Sequence, residues 1–137
     1  MNSPKSVLDQ FPPLFMRSCK LELMELRSNV PGVKSALIAT ADGFLVASSA
    51  PDSHDEKMVA VGSSMIAMGS ALVFETGFEG CESLTIEAKD GRIFVRAIPF
   101  KTSYVILMVT CRKDTTLAHV LNGVRNFVNE VSTTIPV

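Results

Sequence analysis

Apolar residues at steps of four and three, Phe15, Cys19, Leu23, Leu26 and Val30, predict a first amphipathic helix, opened by Pro12-Pro13 and closed by Pro31-Gly32. Arg17, Lys20, Glu22 and Arg27 fall on its other face. Two strand-like runs follow, VKSALIAT and FLVASSA, joined by Ala41-Asp42-Gly43, whose Asp-Gly supplies the positive φ that a tight hairpin demands. The cluster DSHDE after Pro51 offers Asp52 or Ser53 as an N-cap and puts carboxylates where a helix dipole favours them. A long neutral helix is expected from there to Glu75, ended by Gly77. SLTIEA then alternates apolar and polar residues, and Lys89-Asp90-Gly91 leads into RIFVRAI, a second hairpin by the same Asp-Gly argument. Phe100 to Ser103 make another turn. YVILMVTC is apolar nearly throughout, the pattern of a central strand covered on both faces. Asp114 is expected to cap a last helix with Leu117, Val120, Leu121, Val124, Phe127, Val128 and Val131 inside and Asn122, Arg125, Asn129 and Glu130 outside. The predicted order is α-ββ-α-βββ-α, an α+β fold in one domain over residues 13–132, with a flexible segment 1–12 and a tail 133–137.

The middle helix, Lys57 to Glu75, carries no charge between its end residues, whereas a surface helix keeps a polar stripe for water. Its uncharged run of 17 residues, Met58 to Phe74, is near the lower limit for a membrane span. Gly62, Ser63, Ser64, Gly69 and Ser70 dilute that run and acidic residues flank it, so a buried helix without a membrane span is the expectation. At 100° per residue the helix resolves into a bulky stripe of Met58, Val61, Met65, Met68 and Leu72, a mixed stripe of Val59, Gly62, Ile66, Gly69 and Val73, and a small stripe of Ala60, Ser64, Ala67 and Ala71. The bulky and mixed stripes are expected on the sheet, with Ser63 and Ser70 hydrated. Lys57, Val61, Ser64, Met68, Ala71 and Glu75 are spaced 4-3-4-3-4, as in a helix-helix seam, and an antiparallel twin would set Lys57 near Glu75 of the second copy.

Composition narrows the function. In 137 residues, 47% are hydrophobic and the net charge is -1, which argues against disorder and against an electrostatic grip on nucleic acid. The N-terminal residues contain no secretory apolar run, so the cytoplasm is the expected compartment. Cys19, Cys81 and Cys111 are widely spaced and read as buried free thiols. No nucleophile elbow, phosphate loop or His-Glu-x-x-His is present, so no enzyme, cofactor, metal or nucleotide is expected. His54 beside Asp52, Asp55 and Glu56 reads as a solvated helix start rather than a metal site, and His119 as a structural or boundary residue. Met58, Met65 and Met68 read as core.

Together, VPGVKSALIATADGFLVASS, the neutral helix with MIAMGSALVFETG, SLTIEAKDGRIFVRAIP and YVILMVTC resemble the roadblock/dynein light chain family over about Val30 to Val131. The resemblance implies an antiparallel sheet of five strands in the order 2-1-5-4-3, with the first and last helices on one face and the middle helix on the other. It further implies a homodimer that pairs the third strands, here with Ser83, Thr85 and Glu87, while the middle helices lie side by side. Prokaryotic members of the family are partners of Ras-like small GTPases and eukaryotic members are adaptors in motor and signalling complexes. This chain is therefore expected to be a non-catalytic regulator or scaffold of a small GTPase, with a structural adaptor or a profilin-like small-ligand sensor as alternatives. Arg17, Arg27, Arg92, Arg96 and Arg112 have no loop context that singles out an arginine finger.

Overall fold

The computed structural model describes residues 9–136, so residues 1–8 of the expected N-terminal segment, and Val137, lie outside the described residues. Helix α1 (Pro13–Asn29) starts at a proline, whose missing N–H is one the first turn leaves unbonded anyway, and buries Phe15, Cys19, Leu23 and Leu26. Ahead of it, Phe11 stacks on Phe15 at 5.5 Å and meets Phe100 edge-on at 5.1 Å. Gly32, at φ +94°, turns the chain into β1 (Val33–Thr40), and a Cβ there would lie 1.8 Å from Thr115 Oγ1. Only glycine fits that contact. Gly43, at φ +90°, closes the first hairpin into β2 (Leu45–Ser48), which is shorter than the FLVASSA run.

Helix α2 (Asp55–Glu75) has His54 rather than Asp52 or Ser53 at its N-cap, with no side-chain bond, because the Asp52 carboxylate is turned back to accept from the His54 N–H at 2.8 Å, while the Asp52 N–H donates to Asp55 Oδ2 at 3.0 Å. Gly77, at φ +83°, donates its N–H to the Phe74 carbonyl and ends it. Strands β3 (Ser83–Glu87), β4 (Gly91–Phe100) and β5 (Ser103–Arg112) follow, then α3 (Leu117–Ser132). Two further local expectations fail. The second hairpin forms with Gly91 outside the positive-φ region, because Gly91 already lies in the ladder opposite Arg112. Asp114 does not cap α3, since its Oδ1 accepts from Arg112 Nε at 3.2 Å and Thr116 takes the N-cap position without a side-chain bond.

The sheet is antiparallel throughout, in the order β2-β1-β5-β4-β3. β5 lies at its centre, paired with β1 (Ala36↔Val109) and with β4 (Val95↔Met108). Alternation along the strands sends Ile38, Leu107 and Val109 to the layer of α1 and α3, with Phe15, Leu23 and Phe127. It sends Leu37, Ile106 and Met108 to the smaller layer of α2, with Val59 and Ile66. Cys19 and Cys111 are buried free thiols, but Cys81 is half-buried beside Gly69, where a Cβ would come 2.8 Å from its Sγ.

Candidate interaction surface

The sheet-facing side of α2 is the mixed stripe. Val59, Gly62 and Ile66 are buried, Gly69 and Val73 half-buried, and a Cβ on Gly62 would lie 2.5 Å from Met108 Sδ, so the missing side chain sets how close the helix lies. Two expectations change here. Ser63 is 8% exposed rather than hydrated, because the hairpin tip leans on it, its Oγ lying 2.7 Å from where a Gly43 Cβ would be, and Ser70 is half-buried. The bulky stripe turns away from the sheet along its length: Met58 and Met65 are half-buried, but Val61 is exposed and Met68 and Leu72 are each 70% exposed, so Met68 is not core.

All six seam residues, Lys57, Val61, Ser64, Met68, Ala71 and Glu75, are exposed on the outward side of α2. Phe74 (78% exposed) and Phe78 extend the apolar surface past the helix end. Sequence periodicity missed those two because Phe74 fell in none of the stripes and Phe78 lies beyond Gly77, where the periodic pattern ends. By length and composition α2 is apolar enough to cross a membrane, while its Val59–Gly62–Ile66 side lies on the sheet.

β3 is the last strand of the sheet, and its outer edge pairs with no strand among the described residues. Leu84 and Ile86 are half-buried on the α2 side, whereas Ser83, Thr85 and Glu87 are exposed and stand opposite Arg96, Phe94 and Arg92 on the other face. The strand thus offers its edge mainly as unpaired backbone. The Glu87 carboxylate is already engaged by Arg92 and Lys113. Hydrogen bonds from Arg92 and then Lys113 pull its pKa down to about 2. Arg92 also donates to the Thr115 carbonyl at 2.8 Å, so it joins β4 to the loop before α3. A cleft of about 410 Å³ runs under the N-terminal half of α2, lined by Met58, Val61, Met65, Ile86 and Met108. His54 and His119 are both exposed.

The geometry is that of a sheet layered between two helices and one, whose single helix turns an apolar stripe outward beside an open strand edge. Residues 20–110 match the Roadblock/LC7 domain, and the chain belongs to that family of regulatory and adaptor domains. No curated protein matches it in sequence. Among solved structures it is similar to Myxococcus xanthus MglB, with 14% identity and a TM-score of 0.77 over 86% of this chain and 87% of that chain. A Roadblock/LC7 domain from Streptomyces avermitilis gives 18% identity and a TM-score of 0.74 over 83% and 94%. An MglB with a tetrameric arrangement gives 15% and 0.76 over 91% and 92%. At these identities the likeness is one of fold.

Proposed function

We propose that this protein is a cytoplasmic, non-catalytic homodimer that binds and regulates a Ras-like small GTPase. The observation that carries the reading is the outward stripe of α2, Val61, Met68 and Leu72, next to the unpaired edge of β3. Burying one such side chain fully is worth about 1.5–3 kcal/mol, and an open edge beside an apolar patch invites pairing. A second copy covers both at once when two β3 edges pair and two α2 helices lie antiparallel, with Lys57 facing Glu75 of the second copy. The tetrameric arrangement named for one MglB structure supports self-association in this fold. The regulatory character of the family supports a protein partner rather than a substrate.

The test is to purify the chain from its own cell and identify the small GTPase that accompanies it. GTP hydrolysis by that GTPase is then measured with and without the chain, and its nucleotide affinity alongside. A monomeric mass at micromolar concentration, with no small GTPase retained, sinks the reading. The small-ligand sensor remains a second reading because of the apolar cleft under α2. It requires a lipophilic ligand that raises Tm and shifts the Met58 and Met65 methyl signals.

A further inference from the structure

On the face opposite α2, α3 leaves a cleft of about 230 Å³ beside β4. Its floor is apolar: Phe94 and Val124 are buried, Val128 is half-buried, and Leu121, expected in the core, is instead 39% exposed here. Two guanidinium groups, Arg96 and Arg125, line the same cleft with Asn129. Arg96 Nε is shut off from solvent and has no hydrogen-bond partner. The Nη1 of Arg96 stands 3.8 Å from Glu82, a carboxylate that is itself 84% exposed, so this contact leaves the guanidinium largely uncompensated. Arg125 is exposed and forms no ion pair among the described residues.

We propose that this cleft docks a segment of a partner protein that presents an aspartate or glutamate flanked by apolar side chains. A carboxylate is the acceptor that a guanidinium takes through two parallel bonds, and the Arg96 side chain, 31% exposed, has only the solvent-facing Glu82 as a counter-charge. Arg125 supplies a second cation at the same mouth, and the Phe94–Val124–Val128 floor takes the flanking apolar groups. Arginine over an apolar floor is the composition of interface anchors. A nucleic acid fits poorly, because two cations form no track along a phosphate backbone and the chain's net charge is -1. The site lies on the other sheet face from the α2 stripe, one strand in from the β3 edge that the proposed dimer pairs.

The experiment selects displayed random peptides on the immobilised chain and measures the affinity of the enriched sequences by fluorescence anisotropy. Enriched peptides are expected to carry Asp or Glu between apolar residues. Replacing that acid by its amide, or Arg125→Glu in the protein, weakens binding by at least about tenfold. The two changes together cost less than their product, because they remove the same contact. Arg96→Gln has the same direction, and Arg17→Glu on α1 leaves affinity within about twofold. Arg125 is exposed, so its variant folds even if Arg96→Gln does not. A library that yields no binder, peptides without a carboxylate, or binding indifferent to Arg125→Glu overturns the proposal. So does displacement of the peptide by equimolar inorganic phosphate or single-stranded DNA, which would assign the cleft to phosphates.

Discussion

Gly43 carries two constraints in one residue: φ +90° closes the first hairpin, and the absent Cβ lets the tip approach Ser63 Oγ and the Ala60 backbone. Gly43→Ala therefore adds left-handed strain to a steric clash, a loss of about 2 kcal/mol. The expected fall in Tm is roughly 6 °C by calorimetry, and an unchanged Tm would mean that the tip does not lean on α2. Glu87 gives a pH dependence. Its folded pKa of about 2 lies below its ordinary 4.5, so its contribution to stability is complete above the ordinary value and is lost as pH falls from about 4.5 through about 2. Urea midpoints across that range are expected to fall more steeply for the native chain than for Glu87→Gln, and parallel curves would refute the pairing with Arg92 and Lys113.

At the scale of the element, α2 has two sides with opposite fates. The glycines on its inner side set the distance to the sheet, and the small residues of its outer side, Ser64 and Ala71, are exposed where the proposed dimer would bring a second helix. Ala71→Glu puts two like charges into a two-fold contact, at a cost of about 3–5 kcal/mol, a large part of the ~8 kcal/mol that holds a micromolar dimer. Sedimentation velocity is expected to show this variant as a monomer and Asn122→Glu, an exposed change on α3, as a dimer. Ser70 is no suitable control, since it is half-buried in the cleft shared with Cys81 and Tyr104. The stripes of α2 were legible from spacing, and the mixed stripe meets the sheet as expected, but the bulky stripe expected beside it turns outward at Val61, Met68 and Leu72. The bulky residues look more hydrophobic than the glycines, yet close backbone approach let the thinner stripe win the inner side.

For the whole molecule, a dimer that unfolds to separate chains gains stability with concentration by mass action. A hundredfold rise in protein concentration is expected to raise Tm by ~5 °C, given the unfolding entropy of two such domains. A Tm independent of concentration would point to a folded monomer whose α2 stripe meets something other than its twin. Neither α2 nor β3 alone offers that surface. The stripe and the open edge lie side by side only in the finished sheet.

By itself the sequence determined the elements, since burial leaves a period of 3.6 or 2 in the placement of apolar residues. The order α-ββ-α-βββ-α, the central position of β5 and the glycine turns at Gly32, Gly43 and Gly77 all follow from local spacing or local φ. The reading failed where a residue's surroundings come from far along the chain. Ser63 is buried by a hairpin tip twenty residues earlier, Leu121 opens onto the cleft between α3 and β4, and Asp114 answers Arg112 rather than a helix end. The clefts, the outward turn of Leu72 and the placing of Arg96 and Arg125 around one cleft come from the packed fold. Each is a relation between elements, and periodicity records whether a position is buried but not which neighbour buries it.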